Sequence, residues 1–498
     1  MCCRRIVTEH ASGTLIAMAT SFYFYDLETS GFNPREARIM QFAGQRTDMD
    51  LNPIGEPHNV LIKLSDDVVP DPDAVLITGI TPQQTLANGM TEAEFLHIFE
   101  AEISIPGTIF TGYNTVRFDD EFMRYLHYRN LYDPYEWQWQ DKRSRWDLLD
   151  MVRMTRALRP DGIQWPTNPD GSPTNRLELL TAANGLDHAH AHDALNDVLA
   201  TIAIARLIRS KQGKLFDYLL KMRLKQEVKT LVGGGKPFVY SSGKYSAEFQ
   251  KTTIATYLCD HPKKQGVLVY DLRHDPTRYI GMSPEQLVQA WQYQPKPDPD
   301  NPRLPVKLLQ YNRCPAVAPV GVLDADAQQR LGIDLASIQA NAKKLQAAQD
   351  FCPALERAIQ ILDTQQQARF AHDALEVDAQ LYEGFFADAD KTKMRVVRAA
   401  DWRDVPGIDV VFKDARLQGL LPLYKARNFR QFLTDDERVQ WERYRERKLL
   451  GGKQSSRLAK FFNRLGELAA QPDITPEKQY LLEELQLYGQ SIMPVIEE

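Results

Sequence analysis

The first dense block of apolar positions is Phe22-Tyr23-Phe24-Tyr25-Asp26-Leu27-Glu28, an aromatic run that predicts a strand finishing in acids. Further strand-like runs lie at Val60–Leu64 and Thr108–Phe110. Between them the pattern turns helical behind explicit start signals. Thr81-Pro82-Gln83-Gln84 and Thr91-Glu92-Ala93-Glu94 each place a hydroxyl cap three residues ahead of a glutamine or glutamate. Strands followed by helices as far as about residue 210 predict an α/β domain, bounded here at residues 20–208.

The pattern then changes. Gly233-Gly234-Gly235 leads into short β-rich runs at 237–240, 252–258 and 267–270. The last two are joined by the turn-like His261–Gly266, which predicts a hairpin. One more strand is expected at Val306–Leu309, so residues 213–362 read as a small β barrel or sandwich. After about residue 325 the pattern is helical to the end. Thr434-Asp435-Asp436-Glu437 and Thr475-Pro476-Glu477 mark helix starts in a C-terminal α-helical domain over 369–490.

Composition narrows the class. The 498 residues allow about three domains at ~150 residues each. With 66 acidic and 60 basic side chains the formal charge is −6, which argues against a protein that coats DNA through bulk positive charge. Five scattered cysteines with no C-x-x-C pair exclude a disulfide framework or zinc ribbon, and they fit a reducing cytoplasm. No apolar run approaches the ~18 residues of a membrane span. Met18, just ahead of the first strand, is expected to be the true start.

Asp26 and Glu28 are two apart, so on a strand they share one face. Two adjacent carboxylates repel unless cations lie between them, and oxygen-loving divalent ions favour such a pair. Taken alone, the tripeptide reads more simply as a strand end with two exposed acids. Asp119, at the turn after the Thr108 strand, falls at a helix start, where Asp119 or Asp120 could simply cap. His192 enters a later helix and Asp197 lies about one turn along it; His188 and His190 read as loop residues, not zinc ligands. Four carboxylates with one histidine suit two-metal phosphodiester hydrolysis, with His192 as the base that takes a proton from water.

The order D-x-E-T, N-x-x-x-F-D, H-x-x-x-x-D resembles the DEDDh 3′-to-5′ exonucleases. The stretches 76–82, 112–121, 144–150 and 157–162, with later ones at 305–308, 378–382 and 426–429, resemble the bacterial exonuclease I family within them. The resemblance implies a ribonuclease-H-like exonuclease domain, an SH3-like β domain and a helical C-terminal domain. It also implies Asp26, Glu28, Asp119 and Asp197 as ligands of two Mg2+ ions, with Mn2+ able to substitute, and His192 as the catalytic base. The implied activity is processive release of 5′-mononucleotides from the 3′ end of single-stranded DNA, in DNA repair and recombination, by a cytoplasmic monomer. Arg176 matches a family arginine that contacts substrate near the cut, and Glu28 is expected to reach the substrate too.

Residues 121–160 interleave basic and aromatic side chains, the composition of a single-strand groove in which rings stack on bases and cations follow phosphates. Arg124, Arg153, Tyr135 and Trp139 are the candidates there, whereas Trp146 and Tyr125 read as core. Lys244-Tyr245, Lys251 and Tyr311-Asn312-Arg313 repeat the theme in the middle domain. The family also docks the acidic, apolar C-terminal tail of single-stranded-DNA-binding protein, and Arg159 is the candidate contact. Two alternatives keep parts of this picture: an exoribonuclease with the same site, and a non-catalytic single-strand-binding protein. Two extra domains count against the first and the intact acid set against the second.

Overall fold

The computed structural model describes residues 20–186, 193–292, 298, 300–370, 376–400, 403–408, 410–452 and 455–494. Met18 and His192 lie outside the described residues. Strands β1 (Ser21–Thr29), β2 (Ile39–Thr47) and β3 (His58–Leu61) pair antiparallel, while β4 (Thr108–Gly112) and β5 (Ser144–Asp147) run parallel to β1 on its other side. The sheet order is β3-β2-β1-β4-β5.

β1 is apolar on both faces and its period of two divides it between two cores. Tyr23 and Tyr25 pack with Phe42, Phe95, Phe99 and Phe110, whereas Phe22 and Phe24 pack with Trp146, Val198 and Ile202. The strand is thereby clamped from both sides, on one of them by the Ala194–Lys221 helix. Both expected capping boxes of this domain, at Thr81 and Thr91, are formed.

The boundary expected at 208–213 falls inside that helix, at a kink where Gln212 leaves helical geometry. The middle domain is an antiparallel sheet of β6 (Phe238–Ser241), β7 (Thr252–Asp260), β8 (Gly266–Asp271), β9 (Val306–Gln310) and β10 (Ala316–Pro319), in the order β10-β6-β7-β8-β9. The predicted hairpin is the β7–β8 pair. Helices Pro284–Trp291, Leu335–Ala347 and Phe351–Phe370 cover this sheet, the last continuing past residue 362, where the domain was expected to end.

The C-terminal helices wrap back over the first domain. Tyr125, Tyr128 and Leu131 share a core with Leu381, Phe386, Leu417 and Tyr424, and Leu64 and Val68 share another with Leu449 and Tyr488. The Thr434 capping box and the Thr475 cap are both present. Where these domains meet lies a buried ion network. Asp67 takes Arg427 at 2.7 Å and Lys448 at 2.5 Å, while Asp378 takes Arg427 at 2.7 Å and Arg38 at 3.0 Å. Burial alone would push both carboxyls up, but Arg427, Lys448 and Arg38 hold them well below the usual range.

This network joins the domains through charges that need each other. Arg427→Met takes from two buried carboxylates the cation they share, leaving Lys448 to Asp67 and Arg38 to Asp378. It is expected to cost about 3 kcal/mol, read as a lower denaturant midpoint. Because the folded-state values of Asp67 and Asp378 are depressed, their contribution is intact above their unfolded value near ~3.9 and disappears as pH falls below it. Wild-type stability should therefore fall more steeply between about pH 4 and pH 2 than that of Arg427→Met. Parallel pH profiles would contradict this role for the network.

Candidate active site

Asp26 and Glu28 occupy the carboxyl end of β1, beyond the stretch paired with β4. They continue the face that carries Phe22 and Phe24, and so meet the helix packed on that face. Its first turn carries Asp197. Carboxylate oxygens of Asp26, Glu28 and Asp197 all lie within 4.8 Å of one another, the one such cluster among the described residues.

Asp119 arrives by a different route. β4 ends at Gly112, where a Cβ would lie 2.6 Å from the Tyr25 carbonyl oxygen, so only glycine lets the two strands run this close. The chain then turns through Asn114, at φ 72° in the left-handed region that asparagine tolerates, into a short 3-10 turn over Thr115–Arg117. Asp147 organises this turn. Its carboxylate accepts from the amides of Asn114 and Val116, both at 3.1 Å, and from that of Leu149, which it caps, at 2.9 Å. The turn delivers Asp119 as the first residue of the Asp119–Arg129 helix. Asp119 and Asp120 part company there. Asp120 accepts from the Tyr25 hydroxyl at 2.6 Å and pairs with Arg145, a structural task, while Asp119 stays buried beside the other acids.

Burial pushes the Asp26 carboxyl well up, and the charges of Asp119, Glu28 and Asp197 push it further. Asp119 is likewise raised by burial, then by Asp120, Asp147 and Glu28. Glu28 is pushed up to about 8 by burial, with Asp197 and Asp193 adding to it. Among the described residues, no cation figures in the causes of these shifts. Hard oxygen donors in mutual repulsion fit a divalent, oxygen-preferring ion.

Asp193 and Asp147 went unnoticed in the sequence. Asp193 caps the Ala194–Lys221 helix by accepting from the Asn196 amide, and its charge reaches Glu28. Each carried a legible signal: an aspartate immediately ahead of an apolar helical run.

The expected basic-aromatic track needs correction as a surface feature. Arg124 is buried, pairs with Glu121 at 2.6 Å and donates to Gln138 at 3.1 Å, with its guanidinium over the Tyr135 ring. Arg129, Arg143, Arg145 and Arg156 are buried as well, each donating to acids or carbonyls of neighbouring segments. Trp146 and Tyr125 are core, as expected. Trp139 is 60% exposed, and Tyr135 is half-buried with its ring 5.8 Å from that of the exposed Phe385. Arg176 is open to solvent beside Glu178, and Arg159 pairs with Asp324 at 3.1 Å.

Arg153 does face a second domain. It pairs with Asp150 at 2.5 Å and lies against Gly243 of the middle domain. Lys244 next to it is pulled down to about 8, by partial burial and then by Arg117, Lys307 and Arg313. Lys251 is lowered by burial and by Arg153. The seam between the first two domains therefore gathers cations in excess of its acids.

Residues 23–205 match the family described as Exonuclease, 223–362 the Exonuclease I SH3-like domain and 375–492 the Exonuclease I C-terminal domain. Exodeoxyribonuclease I of Escherichia coli K12 is 42% identical over 86% of this chain and 89% of its own length. That of Haemophilus influenzae is 40% identical over 94% and 98%. The fold is similar to that of E. coli exonuclease I in complex with a dA16 oligonucleotide, with a TM-score of 0.88 at 39% identity, covering 95% of this chain and all of that one. Further similar structures are a zinc-bound complex of the E. coli enzyme with single-stranded DNA, TM-score 0.88, and an exonuclease I with SSB and an inhibitor, TM-score 0.84.

The raised proton affinities make cation binding compete with protons. Ligand carboxylates must be ionised, so affinity for a divalent cation should rise with pH through the window that ends near the Glu28 value of about 8. Titration calorimetry with Mg2+ should show affinity at least ~10-fold weaker at pH 6 than at pH 8, with protons released on binding. Equal affinities would contradict the arrangement.

Proposed function

The chain belongs to the exonuclease I family and is an exodeoxyribonuclease I-type exonuclease; from that premise we propose that it degrades single-stranded DNA processively from the 3′ end, releasing 5′-mononucleotides. The observation that carries this reading is the acid cluster at the end of β1, where Asp26, Glu28 and Asp197 converge and Asp119 acts on Asp26. The four residues would hold two divalent cations, magnesium by preference with manganese able to substitute. Bound there, these ions supply positive charge that polarises the scissile phosphate and offsets the acids.

The chain's own residues do the rest. Asp119 and Asp26, clamped by the cores on each side of β1, keep the acceptor geometry fixed while charge develops. Glu28, two residues beyond Asp26 on β1, would reach the terminal nucleotide. His192, five residues before Asp197 and outside the described residues, takes the proton of the attacking water. Arg176, exposed at the entrance to the Leu177–Ala183 helix, steadies the phosphate being cut.

The strand itself would lie along the cationic seam. Arg117, Arg153, Lys244, Lys251 and Arg313 crowd together with few acids between them, an excess that a phosphate backbone would relieve. Trp139 and Tyr135 offer rings for bases on the outer side. The relatives' DNA complexes, and the structure that includes SSB, support a DNA substrate and an SSB partner, whose acidic C-terminal tail would meet Arg159. We further propose that it acts as a monomer in DNA repair and recombination. No helix among the described residues is long and apolar enough to cross a membrane, which accords with a cytoplasmic enzyme.

Two assays test these proposals. Release of 5′-mononucleotides from the 3′ end of single-stranded DNA should require Mg2+ and fall by at least ~10³-fold in Asp26→Ala, with RNA a poor substrate. Release that survives Asp26→Ala would end the reading. In single-turnover trap experiments, Lys244→Ala with Arg313→Ala should shorten the run per binding event several-fold at low salt, with a shallower salt dependence than wild type, while leaving the first cut nearly unchanged. An unchanged run length would remove the seam from the DNA path.

A further inference from the structure

Two of the five cysteines meet in the middle domain, away from the acid cluster. Cys259 lies near the outer end of β7, and Cys352 is the second residue of the Phe351–Phe370 helix packed against that sheet. The β7–β8 ladder slips at Leu258, so Tyr257 pairs with Val269 and Cys259 with Leu268. The bulge frees the Leu258 carbonyl, which accepts from the Cys352 thiol at 3.2 Å. The Cys352 sulfur sits against the backbone one residue from Cys259, and the two thiols influence each other's proton affinity. Thus a strand irregularity and a helix start, far apart in sequence, bring Cys352 beside the residue that precedes Cys259.

We propose that Cys259 and Cys352 form a reversible, peroxide-driven disulfide that staples the end of β7 to the start of the covering helix. The two thiols are unlike in the way such chemistry needs. Cys259 is buried, and its partner thiol and burial raise its proton affinity, whereas Cys352 is partly exposed and the Cys259 thiol lowers its own. The amino end of a helix favours a thiolate further. Cys352 is therefore the attacking sulfur and Cys259 the resolving one.

The reaction balances with a hydroperoxide as oxidant. The Cys352 thiolate attacks one peroxide oxygen; an S–O bond forms, the O–O bond breaks, and the departing hydroxide leaves as water after taking a proton. Cys259 sulfur then attacks the Cys352 sulfenic acid. The S–S bond forms, the S–O bond breaks, and the second hydroxide takes the Cys259 proton. Two thiols lose two electrons in total and hydrogen peroxide becomes two waters. The bridge closes a loop of about 90 residues, a length at which a cross-link strongly restricts the unfolded chain. In a reducing compartment such a bond is transient and answers to oxidant.

Cys314 is the internal control. It is buried, donates to the Arg145 carbonyl at 3.2 Å, and burial pushes it up to about 12. Native protein treated with a few equivalents of hydrogen peroxide, then alkylated without reduction and digested, should yield one linked peptide pair joining Cys259 to Cys352. That pair should be lighter by two hydrogens, with Cys314 alkylated. Dithiothreitol should restore both thiols. Oxidised wild type should melt at least ~2 °C higher than reduced protein. In Cys259→Ser, Cys352 should accumulate as a dimedone-reactive sulfenic acid. Absence of the linked pair at doses that spare Cys314, or linkage of Cys314 at an equal rate, overturns the proposal.

Discussion

The repulsion among Asp26, Glu28, Asp119 and Asp197 is the constraint to which the surrounding structure answers. Each of Asp26, Glu28 and Asp119 is driven toward its protonated form by burial and by its neighbours. Left to themselves, such groups would splay apart. They are prevented from doing so by elements that have no chemistry of their own: the aromatic residues that clamp both faces of β1, the glycine that lets β4 run against it, and the Asp147 carboxylate that ties down the 114–116 turn. Activity and stability oppose each other at this point, as expected where a site is pre-arranged for ions.

The same logic explains the arginines. The Asp119–Arg129 helix is covered by the C-terminal domain, and its cations are spent inside. Arg129 answers Glu92 and Arg124 answers Glu121, while Arg145 of β5 answers the helix's Asp120 and donates to the Asn312 carbonyl of the middle domain at 2.7 Å. These pairs lie within the first domain and hold its own elements together. Where the first and middle domains face each other across Gly243, by contrast, Arg117, Arg153, Lys244 and Arg313 outnumber the acids Asp150 and Glu121 that they meet. A net charge of −6 is compatible with both facts, because local excess and not the total decides where an anionic strand can lie.

Much of the architecture was readable where a local pattern sufficed. The β1 run, the capping boxes at Thr81, Thr91 and Thr434 and the β7–β8 hairpin all follow from short-range signals. β2, β5 and β10 escaped notice. Each is short or mixed in character: β2 becomes a strand by pairing with the preceding β1, and β5 and β10 by pairing with strands farther off in sequence. The acids were legible because i and i+2 on a strand share a face, which is independent of context. Exposure of Arg124 was not legible, because the partners that bury it come from residues 121 and 138 and from a domain more than 250 residues away. Composition counts charges, but only packing shows which of them are already answered.

The central claim is that these acids are arranged to hold divalent cations at the end of β1. Diffraction from crystals grown with Mn2+ and a short 3′-hydroxyl oligonucleotide, recorded at the manganese edge, tests it most directly. Anomalous density is expected between Asp26, Glu28 and Asp197, with the second ion near Asp119 and the 3′-terminal phosphate beside both. Manganese bound elsewhere, or retained undiminished at this position in Asp26→Asn, would contradict it.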